Sequence, residues 1–154
     1  MTLFPSFSAE LIATSGTSIN VLRKGTGPPL LLLHGYPETH VTWHKIAPRL
    51  AEHFSVYVPD LRGYGDSGKP EDGERHENYS FRAMAQDQVD VMRHYGHERF
   101  LVAAHDRGAR VAHRLCLDHP ERSRKLALWT SRPPSQCIEE QTRSLPRNLC
   151  GGSF

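Results

Sequence analysis

The sequence predicts an α/β fold, a mostly parallel sheet with flanking helices that ends in an irregular C-terminal tail. Three observations carry this prediction. Pro29–Leu33, Ser55–Pro59 and residues 100–104 are short apolar runs, the pattern of strands buried on both faces. Stretches with apolar residues at helical spacing separate and follow them. Strand and helix therefore alternate, which is how a parallel sheet is built.

Each element has its own signal. Residues 11–14 and 18–22 flank Ser15-Gly16-Thr17 and read as a hairpin. Residues 43–53 place Ile46 and Leu50 at helical spacing, with Phe54 following, and predict a helix. Ser55–Pro59 runs into a glycine-punctuated loop over residues 60–68, read as the floor of a pocket. Ser80 is placed to cap a helix reaching Tyr95, with Phe81, Met84, Ala85, Val89 and Met92 on one stripe and Gly96 as its stop. Arg107–Asp118 reads as a further helix, and residues 125–128 as the start of a fourth buried strand. Residues 131–154 hold three prolines and two adjacent glycines and show no period. The expected division is a partial α/β domain over residues 1–128 and an irregular segment over 129–154.

Composition narrows the function. The 154 residues carry 19 Lys plus Arg against 17 Asp plus Glu, a net charge of +2. That is too weak a balance to point to nucleic acid or a membrane surface. No apolar run approaches the roughly 20 residues that span a bilayer. The N-terminus lacks the pattern of a secretory signal, and the three cysteines form no CxxC pair. A cytoplasmic protein acting on a small molecule is the expectation. Ten histidines invite a metal reading, with His34, His40 and His44 closest together, but these are expected to be solvent-exposed loop residues. No metal and no cofactor is expected. Cys116 is expected in the core, and His113 and His119 in structural roles.

The chemistry centres on Ala104-His105-Asp106-Arg107-Gly108, which follows a buried strand and opens a helix. Small residues at 104 and 108 are what a tight strand-to-helix turn demands, because bulk there would meet the neighbouring strand and helix. This is the pattern of a nucleophile elbow with Asp in place of Ser. Asp106 would lie at the carboxyl end of the sheet, where open α/β folds place their sites, and at a helix N-terminus that favours its ionised form. Arg107 and Arg110, three apart on the helix, could hold it ionised and clamp an anion. Spacing alone leaves open an N-capping Asp with two solvent-facing arginines. His34-Gly35-Tyr36-Pro37 follows the first buried strand. The backbone N–H groups of Tyr36 and Arg107 could together form an oxyanion hole.

In their order and spacing, the H-G-x-P loop, the run D-L-R-G-Y-G-D-S-G-K-P and the elbow resemble the α/β-hydrolase superfamily. Asp at the elbow is similar to the dehalogenase and epoxide-hydrolase branch. His105-Asp106-Arg107-Gly108-Ala109-Arg110, followed by His113-Arg114 and Leu117-Asp118-His119-Pro120, resembles the fluoroacetate (haloacetate) dehalogenases. Epoxide hydrolases and haloalkane dehalogenases usually carry Trp after the nucleophile. The resemblance covers roughly residues 7–128. It implies that Asp106 attacks the halogen-bearing carbon and forms an ester. It also implies that Arg107 and Arg110 hold the substrate carboxylate, that Tyr36 flanks the pocket, and that His34, Gly35, Pro37, His105 and Gly108 support the loops. A histidine-activated water then hydrolyses the ester. In that family an acidic residue ends the strand that begins at 125, and a cap and the histidine lie further on. Here Trp129-Thr130 stands at the acid's place.

Loss of one nucleotide near codon 128 would account for this. Trp has the single codon TGG and Thr codons begin AC, so the shifted junction must read GAC, which is Asp. Choosing only first bases restores I-A-P-T-L-A-M-Y-R-G-A-D after it, and W-W-F-F from Cys150 onward. The expectation is therefore out-of-frame translation from about residue 129, in which Cys137 and Cys150 are products of the wrong frame. A haloacetate-dehalogenase-like hydrolase would then be represented by a chain that is itself inactive. An epoxide hydrolase and a non-catalytic fragment are the other two readings.

Overall fold

The computed structural model describes residues 3–129, with side-chain surroundings through residue 122. The 129–154 segment predicted to be irregular lies outside the described residues from 130 onward. Nine elements organise the rest: β1 (Ser8–Ala13), β2 (Ser18–Lys24), β3 (Pro29–Leu33), α1 (Ala47–Leu50), β4 (Ser55–Pro59), α2 (Phe81–His94), β5 (Phe100–His105), α3 (Arg107–Asp118) and β6 (Ser123–Trp129). The strands form one sheet in the order β1-β2-β4-β3-β5-β6. β1 and β2 pair antiparallel, as do β2 and β4, while β4, β3, β5 and β6 run parallel. The hairpin and the parallel sheet are both as the sequence predicts. The first strand starts earlier, at Ser8, because pairing with β2 extends the ladder to Arg23.

The central strand shows why its sequence is continuously apolar. Leu31 and Leu33 face one core with Tyr57, Val102, Ala104 and the α2 and α3 residues Met84, Val89, Met92, Ala112 and Leu115. Leu30 and Leu32 face a second core with Val56, Val58, Trp43, Ala47 and Ala51. A period-two alternation thus feeds two apolar layers, so both faces of β3 must be hydrophobic. Strand β1 lies at the edge, and its residues are mostly exposed: Ile12 is buried whereas Leu11 is 61% exposed.

Helices α2 and α3 match their predicted positions. Ser80 Oγ accepts the Ala83 N–H at 3.2 Å, and the chain leaves α2 through Gly96 at φ +78°. Cys116 is buried in the core layer. The single helix predicted over 43–53 is not formed. A short 3₁₀ turn, His40–Trp43, is followed by the one-turn helix α1, and Ile46 is 44% exposed. Pro48 stands in the first turn of α1, where its missing N–H costs nothing. In the interior of a longer helix it would remove a hydrogen bond, so the segment divides.

Two buried polar anchors fix the 60–68 loop against the sheet. Arg62 donates from Nε and Nη2 to Asp87 on α2 at 2.6 and 2.7 Å, with Arg62 3% exposed and Asp87 fully buried. Asp60, also fully buried, accepts from the His40 backbone at 2.7 Å, His40 Nδ1 at 2.9 Å, Asn20 Nδ2 at 3.1 Å and the Asp66 backbone at 3.1 Å.

Candidate active site

The turn from β5 to α3 holds Asp106 at φ +46°, ψ −112°, outside the regions a non-glycine residue ordinarily occupies. Such a conformation costs free energy and persists only where surrounding packing enforces it. The enforcement is visible on both sides. A Cβ on Gly108 would lie 2.5 Å from the His34 carbonyl oxygen and 2.6 Å from that of Leu33. A Cβ on Gly35 would lie 2.8 Å from Asp106 Cβ and 3.1 Å from its Oδ2. Helix α3 and the 34–37 loop therefore approach Asp106 as closely as backbone allows. The small residue at 108 has the packing reason anticipated for it, and Ala104 is buried in the core.

Asp106 makes no capping hydrogen bond to its own helix, which removes the simple N-cap reading. Its Oδ2 instead accepts the Tyr36 backbone N–H at 3.0 Å. That bond is the first cause of a pKa held below the usual carboxylate range; burial opposes it, and the Arg107 N–H, His105 and Arg110 add to it. Of the two N–H groups named from the sequence, that of Tyr36 is hydrogen-bonded to this carboxylate, and that of Arg107 contributes to holding its pKa down. A carboxylate kept ionised beside two backbone donors can attack a carbon centre, and the donors can then hold the oxygen of the ester it forms.

The arginines differ. Arg110 is exposed and acts on Asp106 through its charge. Arg107 is partly buried; its Nη1 donates to the Tyr64 hydroxyl at 3.1 Å, and its Cζ stands 5.9 Å from the Tyr36 ring centroid and 5.7 Å from that of Phe81. Tyr36 itself is 66% exposed.

The expectation that His34, His40 and His44 are solvent-exposed is corrected: His40 and His44 are half-buried. His34 is completely buried: Nδ1 donates to the Gly35 carbonyl at 2.9 Å and Nε2 accepts the Leu61 N–H at 3.0 Å. Burial lowers its pKa, so it serves as a neutral brace between the 34–37 loop and the 60–68 loop. His40 carries the Asp60 bond, which raises its pKa. The Tyr36–Pro37 peptide is cis. His119 ends α3, and burial lowers the pKa of His113.

Three residues at the site were not singled out from the sequence as site residues. Glu38 Oε2 accepts the Gly35 N–H at 2.9 Å and lies 3.3 Å from His105 Nδ1, tying the loop to the residue before Asp106. Tyr64 and Phe81 were placed in a loop and a core stripe, and nothing in their spacing signals a contact with Arg107.

The α/β-hydrolase fold family matches residues 28–147. The chain belongs to this family. Among relatives of this chain, the fluoroacetate dehalogenase of a Burkholderia species is 45% identical over 145 residues, 94% of this chain and 48% of the relative. The soluble epoxide hydrolase of Corynebacterium sp. strain C12 is 39% identical over 105 residues, 68% of this chain and 35% of the relative. Among solved structures, an α/β hydrolase from Nostoc sp PCC 7120 superposes with a TM-score of 0.81 at 54% identity, covering 92% of this chain and 47% of that one. The chain spans about half the length of the curated relatives it matches or less. Among the described residues, no helix is long and apolar enough to cross a membrane.

Proposed function

We propose that this chain carries the nucleophile half of a cytoplasmic haloacid dehalogenase with Asp106 as nucleophile. The Tyr36 N–H on Asp106 Oδ2, at an elbow with Arg107 and Arg110 alongside, is the observation that carries this reading. The Asp106 carboxylate displaces halide from the α-carbon of a haloacid; the C–O bond forms as the halide departs with the C–X electron pair. Water then adds to the carbonyl carbon of the aspartyl ester, whose oxygen is held by the Tyr36 and Arg107 N–H groups. The tetrahedral intermediate collapses to the hydroxy acid and free Asp106, releasing one proton. A general base must take a proton from that water, and the resemblance assigns this role to a histidine beyond the cap.

The likeness to a fluoroacetate dehalogenase supports a carboxylate-bearing substrate, and so do the paired arginines. Chloroacetate with the chain should form a carboxymethyl ester on Asp106, read by peptide mass, with one chloride released per ester and no sustained turnover, because the base that would hydrolyse the ester is assigned to the histidine beyond the cap. Asp106→Asn should show neither. Absence of both products with the native chain would overturn the proposal. An epoxide substrate is the second reading, favoured by the likeness to a soluble epoxide hydrolase; diol formation or an epoxide-derived ester on Asp106 would select it.

The proposal extends to residues from about 129 as out-of-frame translation, because the Trp129-Thr130 junction forces Asp in the shifted frame. The family match runs on to residue 147, past that junction. Resequencing the gene from codon 120 onward separates the two: one missing base near codon 128 supports the shifted frame, and its absence overturns it.

A further inference from the structure

We infer that Tyr64 is a positioning residue that presets Arg107 for a substrate carboxylate, and so sets the preference for charged over neutral substrates. The inference rests on the Asp106 reading and adds to it the origin of substrate-charge selectivity. An arginine side chain free in solution loses much rotamer entropy when it engages a ligand. Arg107 has already lost much of it. Its Nη1 donates to the Tyr64 hydroxyl at 3.1 Å, and its guanidinium stands over the Phe81 and Tyr36 rings.

Tyr64 is itself held. Its ring meets the buried His34 ring edge-on at a centroid distance of 5.2 Å, and it packs against the core layer beneath α2 and α3. Its backbone closes two turns of the 60–68 loop, donating to the Leu61 carbonyl at 2.9 Å and accepting the Ser67 N–H at 3.1 Å. The guanidinium is therefore referenced, through Tyr64 and His34, to the same loop end that donates to Asp106. The hydroxyl takes one of the five guanidinium N–H donors, leaving others for a bidentate carboxylate contact. A neutral acceptor does not neutralise Arg107, as a carboxylate in that place would.

The test is the single-turnover reaction of the chain with chloroacetate and, in parallel, with the neutral isostere chloroacetamide, followed by Asp106 ester formation and chloride release. In Tyr64→Phe, the chloroacetate concentration giving half-maximal rate should rise about three- to tenfold, the scale of one ordinary hydrogen bond, because the lost contact positions Arg107 and does not touch the substrate. The limiting rate should stay within about twofold, and the chloroacetamide reaction should not change. Phe81→Leu, which removes a ring beneath the guanidinium, should shift the same ratio in the same direction. Urea midpoints compare the folding of both variants with the native chain. An unchanged acid-to-amide ratio in a folded Tyr64→Phe chain overturns the inference, as does an unchanged ratio in Phe81→Leu if Tyr64→Phe does not fold. Equal loss on both substrates shows a merely structural Tyr64 and also overturns it. No reaction of the native chain with either compound overturns the Asp106 reading itself, and this inference with it.

Discussion

Replacing Gly108 by alanine sets two effects of known sign against each other. In an exposed helix the exchange stabilises by up to about 1 kcal/mol, because alanine loses less backbone freedom on folding. At Gly108 the new Cβ would sit 2.5 Å from the His34 carbonyl oxygen, 2.6 Å from that of Leu33 and 2.8 Å from the Leu33 carbonyl carbon. These atoms belong to the end of β3, which is hydrogen-bonded to β4 on one side and β5 on the other. No flexible side chain can yield, so α3 must move away from the sheet. Inserting a methyl group into a packed site of this kind costs about 1–3 kcal/mol, and here the propensity gain is reduced because residue 108 lies in the first turn. The net expectation is a loss of roughly 1–2 kcal/mol, which at a urea m-value of about 2 kcal/mol/M lowers the midpoint by about 0.5–1 M. Moving α3 also draws Asp106 from the Tyr36 N–H, so the ester-forming rate should fall at least about tenfold. Urea denaturation and the chloroacetate reaction measure both. A Gly108→Ala chain with an unchanged or higher midpoint and a native rate would refute the close-approach argument.

Other consequences are as specific. Asp87→Ala leaves the Arg62 guanidinium buried without its carboxylate and should cost about 3–5 kcal/mol in urea unfolding. Ser80→Ala removes the acceptor for the Ala83 N–H and should cost about 0.5–2 kcal/mol, seen as a lower thermal midpoint. Asp60 has its pKa lowered to about 2 from an ordinary 3.8: burial alone would raise it, and the His40, Asp66 and Asn20 bonds outweigh burial. Its contribution to stability is therefore complete above about pH 4 and lost as pH falls toward about 2. His40 is shifted the other way by the Asp60 bond, so its contribution is complete below its ordinary 6.5 and lost as pH rises through its folded value. Midpoints measured across pH should show both declines, and Asp60→Asn should flatten both; a decline on only one side in the native chain would contradict the paired assignment.

The elements most legible in the sequence are those in which one physical demand dominates. β3 reads correctly because two apolar layers leave no polar position on it, and α2 because its cap, stripe and stop agree with one another. The strand-to-helix turn at 105–107 is legible because the close approach at Gly108 leaves no room for a Cβ there. Residues 43–53 misled because the apolar spacing of Ile46 and Leu50 outweighed Pro48 in the reading, although proline within a helical pattern sets a boundary. His34 was expected in solvent because a histidine in a loop carries no sign of burial; its place follows from a hydrogen bond to Leu61, distant in sequence. The same holds for Tyr64 and Phe81, whose contacts with Arg107 join three separate segments. No local period can encode a meeting of that kind.

Position 107 contributes in two separable ways. Its backbone N–H, at the first position of α3, helps hold the Asp106 pKa down and does not depend on the side chain. In the proposed reading the side chain then sets substrate preference, as a cation held by a phenol and two rings. Arg107→Ala should therefore leave the N–H and the elbow in place while removing the cation. Asp106 should still be alkylated by chloroacetamide at close to the native rate, whereas the advantage of chloroacetate should fall by about tenfold or more, the scale of a bidentate charge-assisted contact. A parallel loss on both compounds would place the guanidinium in support of the nucleophile itself, through its charge beside Asp106, and would assign substrate recognition to Arg110.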